Sequence, residues 1–186
     1  MARAHKSLKG QLLLDGGKLH RSFFHRSVVL ICQHDEEGAF GLILNRSSDS
    51  KVGQALVANV SEKIKDQPLF VGGPVQPGTL SFLHTDVLLP EANVMVNLSL
   101  GHSLDVLMDL SESSSTTQKL KLFAGYSGWA AGQLDQEMAR QDWLVHPATI
   151  DLVFYPEPAR LWKEILRRRD IKGRLLAESP DDLSWN

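Results

Sequence analysis

Cysteine and long apolar runs are both scarce in this chain of 186 residues. Cys32 is the single cysteine, which excludes an internal disulfide framework and agrees with a reducing compartment. No apolar run approaches the roughly 18–20 residues that a membrane-spanning helix needs. The apolar run after the basic start, Leu12-Leu13-Leu14, is shorter than the roughly 7–15 residues of a secretory signal. We therefore expect a cytoplasmic protein that does not enter a membrane.

An excess of charge of one sign is also lacking. The sequence has 20 Lys and Arg against 22 Asp and Glu, a formal net charge of −2, which gives no general attraction to nucleic acid or acidic lipid. With 42% hydrophobic and 23% charged residues, the composition is that of an ordinary globular protein. The length suits a single domain over 1–186, with a core at about 8–170 and a tail at 171–186.

Apolar patterning predicts a mixture of strands and helices. The segments 27–33 and 40–45 flank a polar turn and predict a hairpin in the middle of a sheet, because neither arm alternates regularly with polar residues. Strands and helices do not alternate strictly along the chain, so the predicted fold class is α+β with a mixed, mostly antiparallel sheet. The other predicted strands lie at 10–14, 68–71, 80–84, 94–98, 120–124 and 150–154. The predicted helices, about four, lie at 50–60, 103–111, 129–143 and 158–170.

The stretch 123–133 combines glycine, aromatic and polar residues at one predicted corner. The strand at 120–124 is followed by Gly125, and helical spacing of apolar residues begins at Trp129. Tyr126 and Ser127 therefore lie between a strand and a helix. Corners of this kind present side chains and free helix N–H groups to ligands, so we expect this one to contribute to a binding site.

Three segments together carry a family pattern. They are Phe24–Arg46, Val71-Gly72-Gly73-Pro74-Val75 with Leu83-His84-Thr85 shortly after, and Gly125-Tyr126-Ser127-Gly128-Trp129 with Gly132–Glu137 and Trp143-Leu144 beyond. In their order and spacing they resemble the YqgE/AlgH family of bacterial proteins, over about residues 8–170.

The resemblance implies a compact α+β domain built on a large bent sheet that is partly barrel-like. It implies no settled activity and no cofactor. One branch of the family carries a regulatory label, linked to control of exopolysaccharide synthesis, although its members show no helix-turn-helix. The resemblance therefore favours a binding or regulatory domain, such as an indirect transcriptional regulator.

Ser127 is the weak candidate for a catalytic nucleophile. Gly125-Tyr126-Ser127-Gly128-Trp129 is close to the Gly-x-Ser-x-Gly nucleophile elbow, which also sits between a strand and a helix. Trp129 replaces the last glycine of that motif, and no histidine is placed beside the serine by sequence alone. We favour a simpler role, in which Ser127 caps the following helix; a serine hydrolase is the alternative.

The predicted ligand site gathers polar and glycine-rich corners from all three segments. Gln133 and Glu137 share a helical stripe with Trp129 at the edge of the core, where they line a groove or, as we favour, bond buried backbone of the Gly72-Gly73-Pro74 turn. Arg26 precedes a buried strand and is placed to pair with Glu137. The complete predicted site is Arg26, Gly72, Gly73, Pro74, Tyr126, Trp129, Gln133 and Glu137.

Two further patterns have ordinary explanations. His34 and the three acids at 35–37 crowd one turn, but no metal-ligand spacing accompanies them, so we expect no metal. Arg167, Arg168 and Arg169 belong to a basic helix that is the best nucleic-acid candidate in the chain. We favour a solvated helix face, because no groove-reading motif accompanies the charge. Cys32 is predicted to be buried and unreactive.

The sequence thus leads to a noncatalytic domain that binds an unknown small molecule or protein. Hydrolysis through Ser127 and nucleic-acid binding through Arg167–Arg169 are the two alternatives. The oligomeric state is left open.

Overall fold

The computed structural model describes residues 6–56, 60–85, 92–112 and 118–180. Within them the chain forms nine strands and seven α-helices, four of the helices having seven or more residues. The strands are β1 Gln11–Asp15, β2 Val28–Asp35, β3 Gly38–Ile43, β4 Ser47–Lys51, β5 Pro68–Val71, β6 Val75–Thr85, β7 Ser99–Gly101, β8 Lys119–Ala130 and β9 Trp143–Pro147. The helices are α1 Val52–Ala55, α2 Glu62–Lys65, α3 Leu104–Glu112, α4 Gln133–Ala139, α5 Ile150–Val153, α6 Leu161–Arg167 and α7 Ile171–Ala177. A short 3₁₀ turn at Pro158–Arg160 leads into α6.

The strands join in one large sheet in the order β4-β5-β8-β3-β2-β1-β9, and β6 pairs with both β8 and β7. Among the described strands, β5 and β8 form the one parallel pair and all other pairs are antiparallel. The described part of the sheet does not close on itself. The predicted class, α+β with a large, mostly antiparallel mixed sheet, is therefore confirmed.

The hairpin of β2 and β3 lies in the middle of the sheet, as predicted. Leu30 of β2 contacts the principal core on one face, together with Leu12 of β1 and Leu42 of β3. Its neighbour Val29 contacts a second buried cluster on the other face. Because successive side chains of a strand point to opposite faces, burial on both faces removes the polar alternation that an exposed face would impose.

Strand β8 is the longest element, and it corrects the predicted strand-to-helix corner. It continues through Gly125, which has a φ of 68°, and helix α4 begins only at Gln133. The first part of β8 pairs with β5 and β6, and the last part pairs with β3. The pairing of β6 with β8 is irregular beside Gly125, so the glycine marks a bend inside a strand and not its end.

Two predicted strands and one predicted helix were wrong in other places. The segment 94–98 is a turn closed by a bridge between Met95 and Leu98, and the strand there, β7, is displaced to 99–101. The segment 150–154 is helix α5, because the Thr149 hydroxyl accepts a hydrogen bond from Leu152 N and starts a helical turn. The predicted helix at 129–143 is divided between the end of β8, the short α4 and the start of β9.

The predicted tail at 171–186 contains a helix. Asp170 caps α7 by accepting a hydrogen bond from Gly173 N at 2.8 Å, and Ala177 is buried in the principal core. The helix predicted at 158–170 is confirmed as the 3₁₀ turn and α6. Residues 181–186 lie outside the described part of the chain, and a single domain over 1–186 stays a prediction.

No helix in the described ranges is both long enough and apolar enough to cross a membrane.

Candidate functional site

Three of the predicted site residues, Trp129, Gln133 and Glu137, contact one another through the Glu137 carboxylate. Trp129 stands on β8, however, and not on the predicted helical stripe. Glu137 Oε2 accepts hydrogen bonds from the indole N–H groups of Trp129 and Trp143, both at 2.8 Å. Gln133 Nε2 donates to the other carboxylate oxygen at 3.0 Å. Both oxygens of Glu137 are therefore engaged, and the carboxylate ties α4 to β8 and β9. The predicted bonds to the backbone of the double-glycine turn were wrong.

The double-glycine turn packs against the backbone of β8. The carbonyl of Gly72 accepts hydrogen bonds from Ile43 N at 2.9 Å and from Ser127 Oγ at 3.0 Å. Gly73 has a φ of 159°, and a Cβ there would lie 2.2 Å from the carbonyl carbon of Tyr126. The turn is glycine-rich because two stretches of main chain touch, and side chains would separate them. Pro74 follows on the surface.

Tyr126 and Trp129 lie on opposite faces of the sheet. They are three residues apart on one strand, and side chains separated by an odd number of residues point in opposite directions. Tyr126 stacks on Phe40, with ring centroids 4.8 Å apart, and packs against the principal core. Trp129 belongs to the second cluster. The eight predicted site residues therefore do not form one cleft.

Ser127 is fully buried inside β8. Its hydroxyl donates to Gly72 O, which ties the double-glycine turn to the strand. The predicted cap was wrong, because α4 begins six residues later, at Gln133. The residue also lacks the strand-to-helix turn that raises the nucleophile of an elbow above its sheet.

Arg26 does not pair with Glu137. Its guanidinium donates through Nη2 to the carbonyls of Ser179 and Pro180, at 2.6 and 2.9 Å. The same group lies 5.1 Å from the ring centroid of Trp162, within the range of a cation–π contact. Arg26 therefore holds the segment that follows α7 against α6.

The three arginines of the basic helix all have protein partners. Arg167 pairs with Glu178 at 2.8 Å, and Arg168 pairs with Glu164 at 2.7 Å. Arg169 donates to the carbonyl of Val145 at 2.8 Å. The partners neutralise part of the positive charge that the sequence places here.

His34 of the acidic turn has a structural contact, and Cys32 is buried, as predicted. The Leu8 amide donates to His34 Nδ1 at 3.1 Å, so this ring joins the first described residues to β2. No group of three metal-ligating side chains occurs among residues 6–56, 60–85, 92–112 and 118–180. Cys32 is buried, and burial raises the pKa of its thiol far above the ordinary value, which keeps it protonated and unreactive.

An open groove lies beside β5 and β8 and is covered on one side by the chain after α5. Its volume is about 340 Å³, at the lower end of the range for small-molecule sites. We call it the Lys121 groove. Its main lining residues are Phe70, Leu120, Lys121, Phe154, Tyr155 and Pro156.

Lys121 is only 5% exposed, which is rare for a lysine. Its ammonium donates to the carbonyl of Leu44 at 2.7 Å and to that of Val153 at 3.2 Å. It also lies 4.1 Å from the ring centroid of Phe70. No carboxylate among the described residues forms an ion pair with it. Burial therefore lowers the pKa of Lys121 to about 7.

The sequence pattern does not single out this lysine, because Leu120-Lys121-Leu122 belongs to a run that predicts an apolar strand. The signal was nonetheless present. Lys121 and Phe123 are two residues apart and share a face of β8, and Phe123 lies in the principal core. A lysine at an inward position of a buried strand has to find acceptors or a ligand.

The fold and the groove together define an α+β domain with a ligand-sized cavity beside a large mixed sheet. Comparison with known proteins adds the family. The DUF179 family model, described as AlgH-like, matches residues 12–174, and the chain belongs to this family. A UPF0301 protein of Chlamydia pneumoniae is 35% identical over 182 residues, which cover 96% of this chain and 95% of the relative.

Two solved structures share the fold. Protein DIP2367 of Corynebacterium diphtheriae is 26% identical, with a TM-score of 0.76 over 96% of this chain and 95% of that one. The AlgH protein of Pseudomonas aeruginosa, solved in solution, is 27% identical, with a TM-score of 0.71 over 97% of this chain and 99% of that one. The resemblance to the YqgE/AlgH family is thus confirmed.

Proposed function

We propose that this chain is a noncatalytic binding domain, and that its ligand is a small organic anion with an aromatic or otherwise apolar body. The observation that carries the proposal is the ammonium of Lys121, buried at an aromatic-walled groove with carbonyls and a ring as its neighbours. An incoming carboxylate supplies the opposite charge that the described residues do not. A charge pair formed beside aromatic walls is screened less than a pair in water, which strengthens that attraction.

Under this proposal the domain acts in the cytoplasm as an indirect regulator. It binds a metabolite and passes the state of occupancy to a protein partner. The paired arginines at 167–169 support an indirect role over direct contact with nucleic acid. The buried hydroxyl of Ser127, bonded to Gly72 O, supports a structural role over hydrolysis.

The first prediction concerns carboxylate binding. Benzoate and phenylacetate are titrated against the uncharged benzamide and phenylacetamide, and binding is followed by calorimetry and thermal unfolding. We expect the carboxylates to bind at least about tenfold more tightly, a difference of about 1.4 kcal/mol. At 100 times its Kd, a ligand adds about 2.7 kcal/mol to the free energy of unfolding.

Lys121→Met removes the charge and keeps the length of the side chain, so it should abolish the preference for carboxylates. Lys119→Met is the matched control, because Lys119 lies on the same strand with its side chain 44% exposed and pairs with Asp151. Affinity should also fall as pH rises above about 7, where Lys121 loses its proton. Equal binding of acids and amides, or carboxylate binding that survives Lys121→Met, would contradict the proposal.

A further inference from the structure

The hydrogen bonds of Lys121 fit the neutral amine as well as the ammonium. A neutral amine has two hydrogens and one lone pair, and two carbonyls, Leu44 O and Val153 O, accept from this nitrogen. Loss of the proton therefore leaves both carbonyls satisfied. Where water or a carboxylate surrounds a lysine nitrogen instead, the charged form is favoured.

Charged groups near the nitrogen do not raise the pKa of Lys121 back to its ordinary value. Tyr155 is the other titratable residue among the main lining residues. Lys119 and Asp151 form an exposed pair close by, and Lys119 lies 5.9 Å from the ring centroid of Phe154. Desolvation by burial is the cause of the shift, and it lowers the pKa of Lys121 to about 7. At neutral pH the neutral fraction is then on the order of a thousandfold larger than for an ordinary lysine.

The groove also supplies space for a reacting molecule. Its volume of about 340 Å³ accommodates a single aromatic ring with a short substituent. Phe70, Phe154 and Tyr155 provide apolar walls against which such a ring packs. A buried, neutral amine beside an apolar cavity is the arrangement in which lysines form Schiff bases with carbonyl compounds.

We propose that Lys121 is a carbonyl-reactive residue, which condenses with the aldehyde of a small aromatic molecule held in the Lys121 groove and forms a reversible imine. The nitrogen lone pair attacks the carbonyl carbon and forms a C–N bond. The C–O bond then breaks, and the oxygen leaves as water with both amine hydrogens. No electrons are exchanged with an outside reagent. The inference uses the groove of the proposed function but needs no carboxylate.

The hydrogen bonds indicate which contact the product keeps. The neutral imine then takes up one proton from water and carries a single N–H, and the bond to Leu44 O is the shorter of the two that Lys121 makes. We expect the imine to keep that bond and to release Val153 O. Val153 is the last residue of α5, so its carbonyl is one of the terminal groups that a helix leaves without an internal partner.

The test traps the imine on the wild-type protein. The chain is incubated at pH 7 with benzaldehyde and sodium cyanoborohydride, which reduces an imine to a stable secondary amine, and the labelled lysines are mapped by peptide mass spectrometry. We expect Lys121 to be labelled at least about tenfold faster than the exposed Lys119, because of its larger neutral fraction. Label on Lys119 and other exposed lysines without label on Lys121 would overturn the inference.

The Lys121→Arg variant and a measurement of benzoate binding separate this inference from the proposed function. Lys121→Arg keeps the charge but cannot form the imine, so label at 121 disappears while folding is checked by circular dichroism. If Lys121→Arg does not fold, the map of the wild type decides alone. Benzoate binding without label on Lys121 refutes the inference and leaves the proposed function intact. Label on Lys121 without benzoate binding refutes the proposed function and leaves the inference intact.

Discussion

Lys121 is the residue at which burial and charge conflict most directly. Its side chain is almost fully enclosed, and the groups that meet its ammonium are two carbonyls and a ring. Partial charges compensate for lost water less well than a carboxylate does. The domain therefore contains a lysine that costs stability, and a strongly perturbed group at a groove is a candidate for binding or chemistry.

This conflict predicts an unusual dependence of stability on pH. Burial lowers the pKa of Lys121 to about 7 in the folded chain, whereas an unfolded chain has a value of about 10.4. Between these values the unfolded chain binds more protons, so the free energy of unfolding rises with pH. Below pH 7 both states are protonated, and the penalty is fully present and constant.

We expect this residue to contribute about 2 kcal/mol more stability at pH 9 than at pH 7. The measurement is urea unfolding of the wild type and Lys121→Met at both values, because the difference between the two proteins isolates this one group. Lys119→Met is the control and should follow the wild type. A constant difference between wild type and Lys121→Met would show that the lysine titrates normally.

At the scale of elements, one carboxylate joins α4 to two strands. The helix has seven residues, which is too short to be stable alone. Glu137 bonds two indoles that stand on different strands, and Phe24 packs on both rings, with centroids 6.1 and 5.5 Å away. The cluster that the sequence suggested as a ligand site is therefore a brace between α4, β8 and β9.

Glu137→Ala should destabilise the fold by about 3 kcal/mol, because it leaves two partly buried indole N–H groups without an acceptor. Gln136→Ala is the matched control, since Gln136 is exposed on the same helix and should change the free energy of unfolding by less than about 0.5 kcal/mol. Both are measured by urea unfolding with tryptophan fluorescence. A loss below about 1 kcal/mol for Glu137→Ala would remove the brace as an explanation.

The elements that sequence patterns predicted are the ones that depend on local residues. The β2–β3 hairpin follows from two apolar runs and a polar turn. The end of β8 was misjudged because Gly125 bends a strand whose continuation depends on β3 and β6, residues distant in the chain. The family motifs at 71–75 and 125–129 were located correctly, and they meet in space. Their role in backbone packing depends on contacts between distant parts of the chain, which sequence patterns do not show.

At the scale of the whole molecule charge is nearly balanced, and the basic C-terminal helices are partly neutralised by ion pairs. The formal net charge is −2, and three arginines of the C-terminal helices, at 160, 167 and 168, pair with Glu157, Glu178 and Glu164. A surface of paired charges releases few counterions when it approaches a phosphate backbone. The sequence shows the basic pattern directly. It does not predict the pairing of Glu178 with Arg167, because Glu178 lies beyond the predicted helix.

We therefore expect no duplex DNA binding tighter than the non-specific range of about 10⁻⁴–10⁻⁶ M at physiological salt. Fluorescence anisotropy with a labelled duplex at low and physiological salt measures this. Replacing Arg167, Arg168 and Arg169 with alanine should leave the titration unchanged. Tight binding that weakens steeply with salt and disappears in that variant would instead establish direct nucleic-acid recognition.

Strand β1 pairs on one side with β2 and on the other with β9, and the Trp162 indole donates to the carbonyl of Asp15 at its end. On the ribosome, β2 emerges soon after β1, but β9 and Trp162 follow only when most of the chain has been made. Until β9 is synthesised, the edge of β1 that pairs with it is unpaired and can pair with other strands. The last third of the chain to be synthesised therefore covers the open edge of the first strand.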